Sequence, residues 1–179
     1  MYQGRKIVLR AIEPSEIVII HRWLNDESIC RNLSRYWSSS LEEIQEECLN
    51  LSSNSLLGQL YAIDLNGEII GFIKLTNIDW ICRSGELTIV IGEEENRGKG
   101  YGSDAIQTFL RVAFDTLNLH QVYLYVYENN LEAISCYEKC GFQKDGIVRD
   151  CRVVDGIYLS AIRMSILEKE YQSFYKSKS

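Results

Sequence analysis

Ile91-Gly-Glu-Glu-Glu-Asn-Arg-Gly-Lys-Gly-Tyr-Gly-Ser-Asp-Ala105 is the stretch whose reading decides the fold of this 179-residue chain. The alternating run Gly85–Ile91 feeds into it as a strand, and an amphipathic run from Gly100 to Thr116 leaves it as a helix. Gly98, Gly100 and Gly102 carry no Cβ, so backbone N–H groups are free to approach an anion closely. The helix that follows brings its unpaired N–H groups and the positive end of its dipole to the same spot. Arg97 and Lys99 add positive charge. The segment therefore reads as a cradle for a phosphate or pyrophosphate. It is not a P-loop: Gly92 lies one residue too far from Gly98-Lys99, and Gly100 stands where a magnesium-binding hydroxyl belongs. It is not a dinucleotide fingerprint either, because Gly102 comes one residue early and the segment follows hairpins instead of an initial βαβ unit.

Working outward, Lys6–Ile12 alternates as a first strand, with Pro14 and a Ser15 cap leading into a helix over Ile17–Leu24. His21 on that helix reads as a packed or surface histidine. Cys30 to Ser40 is a loop, and a helix over Leu41–Leu51, capped by Ser39 or Ser40, carries Glu42, Glu43, Glu46 and Glu47 on one face. Such a face is ordinarily solvated, but it also suits a polycation. Gln59–Leu65 and Glu68–Thr76 form a hairpin around Asn66-Gly67. Val122–Tyr127 is a further strand, Asn130 opens a helix to Cys140 that Gly141 stops, and Gly146–Val154 pairs with Ile157–Leu167 around Asp155-Gly156. Strands mixed with helices and hairpins predict an α/β fold with a mixed sheet.

Composition narrows the function. At 46% hydrophobic and 25% charged residues with one proline, the chain is globular, and its length predicts one domain over residues 1–179. The formal net charge of −6 and the absence of a basic stripe argue against nucleic acid as a partner. No apolar run approaches the roughly 20 residues of a membrane span, and the opening residues lack the apolar core of a signal peptide. A cytoplasmic location is expected. Six cysteines without a C-x-x-C and only two histidines predict reduced, packing thiols and no metal site.

A second constellation is Asn130-Leu-Glu-Ala-Ile-Ser-Cys-Tyr-Glu-Lys-Cys-Gly-Phe142. Asn130 can cap a helix, and Ala133, Ile134 and Tyr137 share one face of it. Taken with Arg97-x-x-Gly100-x-Gly102, this run resembles the paired motifs of the GNAT superfamily of acetyl-CoA-dependent N-acetyltransferases. Val8-Leu-Arg-Ala, Trp23-Leu-Asn-Asp, Asn77-Ile-Asp-Trp80 and Ala161-Ile-Arg-Met resemble its ribosomal-protein-alanine and spermidine acetyltransferase branches.

The resemblance implies a mostly antiparallel sheet in which the parallel pair Gly85–Ile91 and Val122–Tyr127 splays apart. Acetyl-CoA, the cosubstrate, would lie in that gap. Its pantetheine would bond the backbone of Ile89, Val90 and Ile91, and its pyrophosphate would sit on Arg97, Gly98, Lys99, Gly100, Tyr101 and Gly102. Ser103 would add a hydroxyl, Asn130 would touch the pantetheine arm and Tyr137 would face the thioester sulfur. The implied reaction is direct attack of a primary amine in a ternary complex, with Glu86 as candidate base and Tyr137 as proton donor to the leaving thiolate. An N–H near Ile89 would stabilise the oxyanion. The acceptor stays open between a polyamine, a protein N-terminus and an aminoglycoside, and a CoA-binding sensor without turnover is the competing class. Arg35-Tyr-Trp37 resembles a polyamine-binding region, although Ser38-Ser-Ser40 follows where acidic residues are expected. A homodimer through the last strands is expected from resemblance.

Overall fold

The computed structural model describes residues 1–33, 37–53 and 56–176. In chain order the elements are β1 (Tyr2–Gln3), β2 (Val8–Arg10), α1 (Ile17–Leu24), α2 (Glu27–Cys30), α3 (Leu41–Ser53), β3 (Gln59–Leu65), β4 (Glu68–Asp79), β5 (Ser84–Ile91), α4 (Tyr101–Arg111), β6 (Gln121–Tyr127), α5 (Leu131–Lys139), β7 (Gln143–Val154), β8 (Ile157–Leu167) and α6 (Glu168–Tyr171). The strands form one eight-stranded sheet in the order β1-β2-β3-β4-β5-β6-β8-β7. Every neighbouring pair is antiparallel except β5–β6. This is the mixed, mostly antiparallel α/β architecture expected from the sequence.

The parallel pair is short. Ser84, Gly85 and Glu86 pair with Gln121, Val122 and Tyr123, and the register ends there. Beyond Glu86, β5 stays paired with β4 as far as Ile91, while β6 stays paired with β8 as far as Tyr127. The two strands therefore diverge from Leu87 and Leu124 onward. Along Leu87–Ile91 every second residue turns its N–H and C=O away from β4. Those groups face a gap in the middle of the sheet and can take an extended ligand there.

Alternation along the strands splits the core in two. Ile73, Leu75 and Leu87 pack under Ile106, Phe109 and Leu110 of α4 on one face. Phe72 and Val90 pack against Ile20 and Trp23 of α1 and Ile44 and Cys48 of α3 on the other. At the end of β5, Gly92 has the Trp23 ring where a side chain would be: an added Cβ would fall 2.0 Å from it. Trp23 thereby fixes where β5 stops and the glycine-rich loop begins.

Local chemistry sets most of the boundaries. Ser40 Oγ accepts from the Glu43 amide and Glu43 returns a bond to the Ser40 amide, a complete capping box for α3. Asn66-Gly67 and Asp155-Gly156 turn the two hairpins with both residues at positive φ. Other expectations shift. Ser15 does not cap α1; Pro14–Glu16 form a 3₁₀ turn, and Glu16 reaches back to the Glu13 amide while Arg10 forks onto it. Those bonds hold the Glu16 carboxyl below the ordinary carboxylate range, hydrogen bonding to Arg10 being the main cause. The first strand is shorter than Lys6–Ile12, because the amides of Lys6 and Ile7 turn to the Asp104 carboxylate on α4. The helix expected to reach Thr116 is α-helical only to Arg111 and ends in a π-helical turn, Val112–Thr116. Strand β7 starts three residues early and is bulged, with Val148 opposite Ala161 and Arg152 opposite Leu159. Among the described residues no helix is long and apolar enough to cross a membrane.

Candidate active site

The divergence of β5 and β6 opens a cavity of about 960 Å³ between the two strands, floored by the glycine-rich loop and walled by α5 and the Ser28–Leu33 segment. Ile89, Val90 and Ile91 line it from β5, and Glu86 stands at the point where the pair separates. From the loop, Arg97, Gly98, Gly100, Gly102 and Ser103 reach the cavity; from α5 and its cap, Asn130 and Tyr137 do. Lys99 and Tyr101, expected among the phosphate-binding residues, stand on the flank of the loop, outside that lining.

The loop is held from both sides. The Arg97 guanidinium turns back and donates to the carbonyls of Ile91 (3.2 Å) and Gly92 (2.8 Å). It braces the end of β5 while its charge stays at the cavity edge. On the other side, Lys6 Nζ donates to the Lys99 carbonyl at 2.9 Å. Asp104, in the first turn of α4, accepts backbone N–H bonds from Arg5, Lys6 and Ile7 at 3.1, 2.6 and 3.1 Å. The N-terminal segment is thus buttoned to the helix start, and a buried carboxylate so bonded is satisfied. Gly100 is the N-cap of α4 at φ +83°, a conformation that glycine alone adopts without strain. Nothing in the loop stretch itself indicates that its Asp104 is bonded to Lys6, 98 residues earlier in sequence.

Glu86 is partly buried, and its Oε2 accepts from Asn77 Nδ2 at 2.8 Å. It lies opposite Thr76 on β4 and Tyr123 on β6. The Tyr123 hydroxyl is pushed above its usual range by burial first and by the Glu86 charge second. Tyr137 packs its ring against Phe142 with centroids 5.9 Å apart. Desolvation, reinforced by Cys136 and Cys140, drives the Tyr137 phenol far above its ordinary value. It keeps its proton throughout the neutral and mildly alkaline range.

Asn130 is occupied at both ends of its amide. Oδ1 accepts from the Ala133 amide at 3.2 Å and caps α5, while Nδ2 donates to Asn32 Oδ1 at 3.2 Å. It therefore joins α5 to the Ser28–Leu33 wall. Ser103 Oγ lies 3.2 Å from Cys136 Sγ. His21 is structural: its Nε2 is 3.0 Å from the Ser39 carbonyl. Among the described residues no three histidine, cysteine or acidic side chains gather where they could hold a metal.

The acidic face of α3 is only partly free. Glu43 closes the cap of α3, and Glu47 pairs with Lys74 at 2.7 Å. Glu43, Glu46 and Glu47 nevertheless line a second cavity of about 380 Å³, which Thr76 shares with the first. The Arg35-Tyr36 part of the resemblance to a polyamine-binding region lies outside the described residues; Trp37 beside it is 85% exposed.

One residue behind the wall had no sequence signal. Arg152, on the inner side of the β7 bulge and 7% exposed, donates from Nη2 to the Cys30 carbonyl at 3.0 Å and from Nη1 to the Leu33 carbonyl and the Tyr127 hydroxyl. Its guanidinium also lies 5.3 Å from the Tyr127 ring centre. It ties the last strands to the Cys30–Leu33 segment.

Comparison with known proteins places this geometry. The model of the acetyltransferase (GNAT) domain matches residues 6–143. A spermidine N(1)-acetyltransferase of Vibrio cholerae is 32% identical over 93% of this chain and 95% of its own. The spermidine N(1)-acetyltransferase of Escherichia coli K12 is 29% identical over 99% of this chain and 94% of its own. The crystal structure of the Vibrio cholerae spermidine N-acetyltransferase with CoA and spermine superposes with a TM-score of 0.85 at 31% identity, covering 93% and 98% of the two chains; that enzyme has also been solved as a dodecamer. The family model spans most of the chain, the two glycine- and asparagine-led motifs meet at one cleft, and the chain belongs to the GNAT family as an acetyl-CoA-dependent N-acetyltransferase.

Proposed function

We propose that this chain, acting as one domain over residues 1–179, transfers the acetyl group of acetyl-CoA to a primary amine of a polyamine by direct attack in a ternary complex. The observation that carries the cosubstrate part is the gap itself: along Leu87–Ile91 alternate strand groups turn away from β4, and the glycine-rich loop leads from there to the amino end of α4. Pantetheine adds to the edge of β5 as an extended chain, and the pyrophosphate meets the N–H groups of Gly98 to Ser103, where the helix dipole favours an anion.

The polyamine part rests on the carboxylates. Glu43, Glu46 and Glu47 line a cavity that adjoins the main one through Thr76, and Thr76 lies opposite Glu86. A chain of ammonium groups laid along that track presents one terminal amine to Glu86 while its other charges stay near α3. The similar enzymes from Vibrio cholerae and Escherichia coli act on spermidine, which supports the same substrate class.

The reaction follows from the residues at the neck of the gap. An alkylammonium with a pKa of about 10.4 must lose a proton before it can attack. Glu86, oriented by Asn77, accepts that proton through water. The neutral amine attacks the thioester carbonyl, and the Ile89 N–H steadies the oxyanion. As the tetrahedral intermediate collapses, Tyr137 gives its proton to the CoA thiolate. No acetyl-enzyme is formed and no metal takes part. A homodimer through β7 and β8 and a cytoplasmic setting complete the proposal; Ile147 and Tyr158, each about two-thirds exposed, share one face of that pair and supply apolar area for the dimer.

Bisubstrate kinetics test it. With spermidine and acetyl-CoA varied together, a ternary complex gives intersecting double-reciprocal lines, whereas parallel lines indicate a covalent acetyl-enzyme. CoA release with peptide N-termini or aminoglycosides, but not with polyamines, would replace the acceptor. Acetyl-CoA binding without turnover on any amine would make the chain a sensor.

A further inference from the structure

We propose that Cys136 is a thiol modification site inside the acetyl-CoA cleft, that low-molecular-weight disulfides cap it, and that the cap excludes acetyl-CoA. The proposal rests on the reading above that acetyl-CoA lies along the Arg97–Ser103 loop. The direct-attack mechanism leaves this nucleophile without a role. Cys136 and Cys140 lie one helical turn apart on α5, yet they face different surroundings. Cys136 is partly exposed and lines the cleft; Cys140 is buried beneath it and does not.

Both thiols converge on Ser103, in the first turn of the eleven-residue helix α4. Cys136 Sγ is 3.2 Å from Ser103 Oγ, and Cys140 Sγ lies 3.7 Å from the Ser103 carbonyl oxygen. The cluster thus places a sulfur at the positive end of a helix dipole, beside hydroxyl and thiol donors, which is the environment that makes a cysteine reactive. Hydrogen bonding from Cys140 is the main influence lowering the Cys136 thiol below its ordinary range. Ser103 and the charge of Lys139 act in the same direction, and burial and Glu132 oppose them. Cys140 moves the opposite way and keeps its proton. The other polar groups facing the pair are Gln107 of α4, Tyr137 on α5 itself and Tyr175, whose hydroxyl donates to the Cys140 carbonyl at 2.7 Å. None of these adds a negative charge near neutral pH.

The chemistry is thiol–disulfide exchange. The Cys136 thiolate attacks one sulfur of an RS–SR molecule, a new S–S bond forms to the protein, and RS⁻ leaves and takes a proton from water. The incoming disulfide is the oxidant, and excess free thiol reverses the step. The attached R–S group projects beside Gly100, Gly102 and Ser103, in the volume assigned to the cosubstrate.

The test uses a protein carrying Cys82→Ser and Cys151→Ser, since both of those thiols are exposed and Cys151 also lines the cleft. The neutral probe bis(2-hydroxyethyl) disulfide is applied near neutral pH. Intact mass and peptide mapping locate the cap, and calorimetry follows acetyl-CoA binding. The untreated protein is titrated alongside. The expected result is one cap on Cys136, acetyl-CoA affinity weakened by at least about tenfold and recovery with dithiothreitol. Acetyl-CoA at about 100 times its Kd should slow capping by roughly 100-fold, because only the unliganded fraction reacts. Adding Cys136→Ser, or Cys136→Ala as a second variant, should retain turnover and remove sensitivity to the disulfide. Capping at Cys30, Cys48 or Cys140 instead, capping of Cys136 with acetyl-CoA affinity unchanged, or no protection by acetyl-CoA would each overturn the proposal. Failure of the untreated protein to bind acetyl-CoA would show that the reading of the loop is at fault and would remove the proposal with it.

Discussion

Replacing Gly100 by alanine probes the loop at its most constrained backbone position. Gly100 sits at φ +83°, and a Cβ there meets one neighbour, Lys6 Nζ at 3.3 Å. Lys6 Nζ is the end of a flexible chain and can swing away at little cost, although it then releases the Lys99 carbonyl. The main penalty is the left-handed backbone, about 1–2 kcal/mol for a residue with a side chain. That quantity must appear either as lost stability or as weakened binding. Gly98, Lys99 and Gly100 are all exposed, so the free loop can relax to a right-handed conformation and escape the strain. Acetyl-CoA, which requires the cradle shape, must then restore it. Gly100→Ala is therefore expected to raise the acetyl-CoA Kd roughly 5–30-fold, the equivalent of 1–2 kcal/mol, while the unliganded Tm stays close to wild type. Calorimetric titration and thermal melts of the same sample measure both terms. A variant with wild-type Tm and a Kd within twofold of wild type would refute the placement of the pyrophosphate on this backbone.

The other predictions concern chemistry, charge and the wall. Tyr137→Phe should lower kcat by about 10²–10⁴-fold in single turnover, the usual worth of a general acid, with acetyl-CoA affinity within a few-fold. In the wild type, burial holds that phenol above its ordinary value of about 10, so Tyr137 should impose no fall in kcat below roughly pH 10. Glu86→Gln should cut activity near neutral pH and recover part of it toward about pH 9–10, where more of the amine is already neutral; lost stability with an unchanged pH profile would make Glu86 structural. Glu42→Gln with Glu46→Gln leaves the α3 cap and the Lys74 pair intact, so it should raise the spermidine KM and flatten its salt dependence without lowering Tm. Arg152→Met removes charge-assisted bonds to the Cys30 and Leu33 carbonyls, worth about 1.5–3 kcal/mol each, while the Cys30 carbonyl keeps the Leu33 amide at 3.2 Å. It should lower Tm by several degrees and raise the polyamine KM more than the acetyl-CoA KM, read from melts and initial rates.

What the sequence made legible was local chemistry. Asn66-Gly67 and Asp155-Gly156 set the hairpins, Ser40 with Glu43 opened α3, and Gly98, Gly100 and Gly102 marked the loop, because each depends on residues a few positions apart. Contacts between distant residues stayed hidden. The β2 strand is short because Asp104 takes the amides of Lys6 and Ile7, a competition no window of sequence contains. Arg97 was legible as a cation at the loop but not as the brace of Ile91 and Gly92, and Asn130 was legible as a cap but not as the link to Asn32. Arg152 gave no signal at all: on a strand of mostly exposed residues, its burial arises from a bulge in β7 and from carbonyls about 120 residues earlier.

The proposed reaction requires acetyl-CoA in the gap between β5 and β6, with its pyrophosphate at the amino end of α4 and its thioester between Ile89 and Tyr137. A crystal structure of the Glu86→Gln variant, slowed near neutral pH, with acetyl-CoA bound decides this. Pantetheine is expected on the backbone of Ile89–Ile91, the pyrophosphate on the N–H groups of Gly98–Ser103 and the Tyr137 hydroxyl within hydrogen-bonding reach of the thioester sulfur. Cosubstrate bound elsewhere, or bound in the gap with Tyr137 turned away into the core, would contradict it.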